Sequence, residues 1–296
     1  MDSRVEKEAV FCLLARDCET ELKENIPVIE SYRGFFVRSY VVVIENDSKD
    51  DTNAVLDDWR NTSDGIIISH VDSTGFDRLS RIERLSICRN AYLDEIKKQN
   101  LKPEYLIVID ADVELQSLDF HSIISNAPAD WTGLFANGRF YYPVFGRKVP
   151  VSYYDLYAYV PYDCDEYELN ETRVMENGRQ VEKLIKKNEY SLCRSAFGGI
   201  GIYRYQSVEN ARYEAVPHTK SKMFSHLCEH LAINRCCSSY GSLYICRSMR
   251  LLYERLSFRS LCITFLRNCL GYRRLMRLHC FFSEKVLGKH VDHDYY

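Results

Sequence analysis

The sequence predicts an α/β domain wound around a mostly parallel sheet. Three observations predict it. Short apolar runs alternate with helix-like stretches through residues 9–115. Three of those runs stop in polar clusters, ARD, ENDSKDDT and DAD. The chain, 296 residues and 46% hydrophobic, has enough apolar material for a sizeable core.

The elements follow in order. AVFCLLA (9–15) is a short apolar run ended by Arg16 and Asp17, hence a buried strand. Residues 20–36 carry Leu22, Ile26, Ile29 and Tyr32 at helical spacing. SYVVVIEN (39–46) is β-branched and short, a second strand. DDTNAVLDDWR (50–60) opens a helix with acids in its first turn, where the helix dipole favours them. GIIISHV (65–71) is a third strand, and residues 78–100 form a long helix through Leu79, Ile82, Leu85 and Tyr92. EYLIVIDADVEL (104–115) is the fourth strand. Alternation of this kind argues for a parallel, doubly wound sheet, which binds ligands outside the carboxyl ends of its strands. The second half is less regular: 131–163 is rich in aromatics, Gly and Pro, and 195–208 places three glycines in four positions. Residues 221–237 read as a helix, and from about 243 the chain reads as an Arg-rich helical tail. The expected division is a domain over 1–240, with halves at 8–115 and 116–240, and a helical basic extension over 241–296.

A net charge of −3 argues against nucleic-acid binding, which needs a basic footprint. The 22 tyrosines suit sugars but are also ordinary core material. Twelve cysteines without a C-x-x-C pair, many inside apolar runs, fit reduced buried thiols. No signal-peptide pattern follows Met1 and no long apolar span exists, so a cytoplasmic location is expected, with peripheral membrane contact left open.

Asp110 and Asp112 stand two apart at the end of a buried run. On extended backbone they point the same way. Two such carboxylates repel unless a cation lies between them, and a hard cation, Mg²⁺ or Mn²⁺, fills its remaining shell with water and phosphate oxygens. A metal–diphosphate is the simplest occupant.

These residues carry a resemblance. VVVIENDSKDDTNAVLDDW, IVIDADVE, ARDCETELKENIPVIES and RLSRIERLSICRNAYLDEI resemble successive motifs of nucleotide-sugar glycosyltransferases with the Rossmann-like GT-A fold, IVIDADVE standing for their DxD. FGGIGIYR and CEHLAIN resemble the motifs that follow. The set, over roughly residues 8–235, looks most like the fungal capsule-associated mannosyltransferase-like group. The resemblance implies transfer of a hexose from a nucleotide sugar to a hydroxyl of a glycan, glycoprotein or glycolipid, with Mn²⁺ or Mg²⁺ as cofactor. It places Ala15 and Arg16 under the nucleotide. Glu45 and Asn46, where many relatives carry Asp-Asp, would face the base or ribose. Arg81 and Arg89 would approach the diphosphate, with a surface pairing to Glu83 as the plainer reading of Arg81. Asp112 would bind the metal; Asp110, with Ala111 between, would contact ribose or metal-bound water. Gly198 and Gly199 would admit the donor sugar, or form a plain turn. Glu229 would be the catalytic base of an inverting enzyme, or an orienting group in a retaining one. His218 would join the metal, or be a satisfied loop histidine.

Rival readings remain. HLCEH (226–230) is also the H-x-x-E-H pattern of a zinc hydrolase. A sugar-1-phosphate nucleotidyltransferase shares nucleotide, metal and sheet, but the loop after the first strand, ARDCETELKEN, lacks glycine. A non-catalytic nucleotide- or sugar-binding module is the third. The Arg-rich tail fits an anionic membrane surface or a helix packed on the domain with its arginines solvated.

Overall fold

The computed structural model describes residues 5–220 and 225–270. The first half alternates as expected: β1 (Val5–Ala15), α1 (Glu19–Arg33), β2 (Phe36–Glu45), α2 (Thr52–Thr62), β3 (Ile66–His70), α3 (Arg81–Lys98) and β4 (Tyr105–Asp110). There follow α4 (Phe120–Ser125), β5 (Trp131–Val144), β6 (Arg147–Tyr153), β7 (Val160–Pro161), α5 (Glu171–Lys187), β8 (Tyr190–Ser195), β9 (Ile200–Arg204), α6 (His230–Ser238), β10 (Ser242–Arg255) and α7 (Phe258–Leu270).

One sheet of ten strands runs in the order β3-β2-β1-β4-β9-β5-β10-β8-β7, with β6 paired to β5. β3, β2, β1 and β4 are mutually parallel, and β9 enters antiparallel between β4 and β5. β10 returns parallel to β5, so most strands share one direction. Val10, Cys12, Leu106 and Val108 bury on one face of the sheet, Phe11, Leu13, Ile107 and Ile109 on the other. Burial on both faces is why these strands read as unbroken apolar runs rather than alternating ones.

Two expectations change. The tail expected to be helical from 241 begins with β10, a strand inside the sheet, and the helix starts only at Phe258. The cause is a register shift between Ile245 and Arg250, which leaves Ile245, Met249 and Leu252 buried at helix-like spacing along a strand. The helix expected over 221–237 begins at His230, and residues 221–224 lie outside the described residues, as does the tail from 271.

Candidate active site

A cleft of about 690 Å³ opens at the carboxyl ends of β1, β2 and β4. Leu14, Ala15 and Arg16 come from β1 and its exit, Ile44 and Asn46 from β2, and Asp110, Ala111 and Asp112 from β4. Parallel register sets this meeting: Leu14 pairs with Asp110, and Ala15 with Glu45.

The opposite wall starts at α3. Ser80 caps this helix: its hydroxyl accepts the Glu83 N–H at 3.2 Å, and the Glu83 carboxylate accepts the Ser80 N–H at 2.7 Å. Such a box fixes where a helix begins and contributes about 1 kcal/mol. It therefore fixes Arg81 and Arg84, both of which line the cleft. Arg84 was not among the sequence candidates, although its i+3 spacing from Arg81 puts both on one face.

The Asp112 turn is held from below by Asn25 of α1, 4% exposed. Its Nδ2 donates to the carbonyls of Ala111 at 3.0 Å and Val113 at 2.8 Å, and its Oδ1 accepts the Leu115 N–H at 3.2 Å. Asp112 itself reaches solvent within the cleft. The surrounding walls, and next the Asp110 charge, push its carboxyl up to about 6.

Arg89 is placed differently from expectation. It is 4% exposed, and its guanidinium joins Asp110 at 2.9 Å to Glu229 at 3.1 Å, over the rings of Phe197 and Tyr213. It is thus engaged by carboxylates and forms the cleft floor, while Arg16, Arg81 and Arg84 are the guanidinium groups of the upper walls. Glu229 lines the cleft as well, 3% exposed.

Glu45 is turned inward. Its carboxylate accepts the Ser48 N–H at 2.6 Å and meets His70 Nδ1 at 2.9 Å. Burial alone would raise its pKa, but these partners outweigh it and hold the carboxyl below the usual range. Asn46 is the member of the pair that lines the cleft; its Oδ1 accepts from Arg16 at 3.4 Å and its Nδ2 donates to the Val71 carbonyl at 2.8 Å.

Gly198 and Gly199 do not line the cleft; they support it. Both have positive φ, 68° and 95°. The Gly198 N–H donates to Asp155 at 2.9 Å, and the Gly199 carbonyl accepts the Asp110 N–H at 2.9 Å. A Cβ on Gly198 would lie 2.0 Å from the Ala136 carbonyl oxygen. Gly198→Ala is therefore expected to cost about 2–4 kcal/mol from left-handed strain plus overpacking, read as a lower urea midpoint at unchanged slope.

His218 stands apart from the cleft: it is buried, with Nε2 against the Leu169 carbonyl. That is the arrangement of a satisfied loop histidine, away from the Asp110–Asp112 pair. The zinc pattern loses its geometry too, because the helix starts at His230 and His226 precedes it. His230 is buried and stacked on Phe197 at 3.9 Å, and its environment holds it neutral. Among the described residues no cluster of three or more His, Cys, Asp or Glu gathers as a metal cage. The Asp110–Asp112 pair still suits a hard cation that takes one or two carboxylates and completes its shell with water and phosphate.

Sequence reasoning missed Asp155, Tyr154 and Tyr253. Tyr154 and Tyr253 stack at 4.3 Å on the cleft wall, and the Tyr154 hydroxyl lies 3.5 Å from Asp110. The signal for Asp155 was a lone acid in the aromatic run SYYDLYAYV, where burial was to be expected.

No family model and no curated protein matches the chain. Solved structures do. GalNAc-T7 with UDP, GalNAc and Mn²⁺ is 13% identical over 84% of this chain and 44% of its own, with a TM-score of 0.51. The mannosyltransferase PcManGT from Pyrobaculum calidifontis, in complex with GDP-Man and Mn²⁺, is 12% identical over 93% of this chain at a TM-score of 0.48. S. aureus TarS 1–349 is 13% identical over 94% of this chain and 73% of its own, at a TM-score of 0.48. The chain spans 64% of the mannosyltransferase's length. With its strand order and the cleft at the strand ends, the chain has the GT-A fold of glycosyltransferases.

Proposed function

We propose that this protein is a glycosyltransferase moving a hexose from a nucleotide sugar to an acceptor hydroxyl, related to the fungal capsule-associated mannosyltransferase-like group. One observation carries the reading. Asp110 and Asp112 meet Arg16, Arg81 and Arg84 in one cleft outside the carboxyl ends of parallel strands. Carboxylates for a cation and guanidinium groups for phosphate are the pair of chemistries a nucleoside diphosphate needs. Asp112, with Asp110, would hold Mn²⁺ or Mg²⁺, which when bound offsets charge developing on the leaving diphosphate. Ala15 and Asn46 would floor the nucleotide, and Arg16, Arg81 and Arg84 would grip its phosphates. Arg89 pairs with both Asp110 and Glu229, and this supports an orienting role for Glu229. The stacked Tyr154 and Tyr253 offer a flat wall for a sugar ring.

A thermal-shift panel tests this. GDP, UDP and their sugars should raise the melting temperature of the full chain only with Mn²⁺ or Mg²⁺, and one base should stand out. No shift with any nucleotide, metal present, removes the transferase reading and returns the question to the binding-module one.

We also propose that α7 meets an anionic membrane surface, as would suit a lipid-linked acceptor. Among the described residues no helix is long and apolar enough to cross a membrane. On α7, however, Phe258, Cys262, Phe265 and Leu266 form one exposed stripe beside Arg259. Sedimentation with phosphatidylserine vesicles should carry the full chain down at low salt and release it at high salt. Protein left in the supernatant under both conditions sinks this proposal.

A further inference from the structure

Four carboxylates reach the cleft, and three have a task. Asp110 and Glu229 are bound by Arg89, and Asp112 lines the cleft as the proposed cation ligand. Asp155 is the fourth. It lies just after β6, on the wall formed with Tyr154 and Tyr157. Its Oδ2 accepts the Gly198 N–H at 2.9 Å and its Oδ1 the Ala158 N–H at 3.4 Å. Among the described residues no Lys, Arg or His forms an ion pair with it. Two backbone donors therefore aim the carboxylate while each oxygen keeps a lone pair for another proton. The Gly198–Gly199 turn joins this wall to the end of β4, since one glycine holds Asp155 and the next holds the backbone of Asp110. The spacing between the two acidic groups is thus built into a rigid turn. Burial raises the carboxyl to about 6, so at neutral pH it is ionised and still a useful proton acceptor.

We infer that Asp155 is the general base for the acceptor hydroxyl. The inference rests on the nucleotide-sugar reading and names the group that completes it. The acceptor oxygen bonds to the anomeric carbon of the donor, and its proton passes to the Asp155 carboxylate. The anomeric carbon–oxygen bond to the nucleoside diphosphate breaks, and its electron pair leaves with the diphosphate beside Arg16, Arg81 and Arg84. Glu229 is less suited to this step, because it is ion-paired with the buried Arg89 guanidinium at 3.1 Å, whereas Asp155 accepts from two neutral backbone N–H groups.

The test uses full chains of wild type, Asp155→Asn, Asp155→Ala and Glu229→Gln. The probes are GDP-mannose, UDP-GlcNAc and UDP-GalNAc with Mn²⁺, with water as the acceptor. Calorimetry reads donor affinity, and released nucleoside diphosphate reads turnover. Asp155→Asn should keep its donor affinity within about threefold and lose about 100-fold or more in turnover, the share general-base catalysis commonly supplies. Formate should restore turnover to Asp155→Ala at least tenfold, as expected when a small carboxylate replaces the missing base. The inference is overturned if Asp155→Asn keeps more than about a tenth of wild-type turnover, if its loss only tracks weakened donor binding, or if formate restores nothing. A wild type that neither binds nor cleaves any probe overturns the nucleotide-sugar reading itself, and the base with it.

Discussion

Arg89→Ala should lower the unfolding free energy by about 3–5 kcal/mol, the usual cost of leaving buried charges without their partner. The side chain is 4% exposed and stands between Asp110 and Glu229. Its removal leaves Glu229, 3% exposed, as an uncompensated charge in the sheet's flank and removes the ring contacts to Phe197 and Tyr213. Arg89→Met combined with Glu229→Gln should recover much of the loss, since that pair takes away the stranded charge together with the cation. Urea titrations of the wild type and the two variants decide it: a double variant no more stable than Arg89→Ala would show that packing rather than charge dominates at this position.

On the proposed reading, Asp112→Ala should abolish the metal-dependent part of nucleotide binding and slow turnover by roughly 10²–10³-fold, as removal of a transition-state charge stabiliser commonly does. The fold should be spared, because Asp112 reaches solvent and its turn is held by Asn25 rather than by its own carboxylate. The wild type should also show a pH signature. The carboxyl is raised to about 6, so it is protonated below that pH and ionised above it. Only the ionised form ligates a cation, hence Mn²⁺-dependent affinity should fall as pH drops through about 6. Calorimetry with GDP or UDP and Mn²⁺ from pH 5 to 8 checks the sign; affinity flat across that range would remove Asp112 from the metal shell.

The first half of the fold was legible because burial on both faces of a parallel sheet leaves a plain trace, as in Tyr105–Asp110 and Val41–Ile44. The carboxyl-end rule then put Arg16, Asn46, Asp110 and Asp112 at one edge, where the structure has them. Where contacts are made across large sequence gaps, the sequence was silent. Nothing near Arg89 announces that its partners are Asp110 and Glu229, 21 and 140 residues away. The two glycines announced a special turn but not that it holds Asp155 and the backbone of Asp110. β10 was read as a helix because its register shift mimics helical spacing, and only its pairing with β5 and β8 reveals it.

That pairing has a consequence for how the protein is made. β10 lies between β5 and β8, so a central slot of the sheet is filled by residues 242–255. On the ribosome, β5 and β8 are synthesised well before the strand that separates them. Until it arrives they hold open edges and unpaired N–H and C=O groups, the template on which strands of other chains add. Assembly of the sheet therefore waits on a late, non-local contact, which slows folding and lengthens exposure to aggregation. A chain stopped at residue 241 would lack not an accessory tail but the strand that joins the two parts of its sheet.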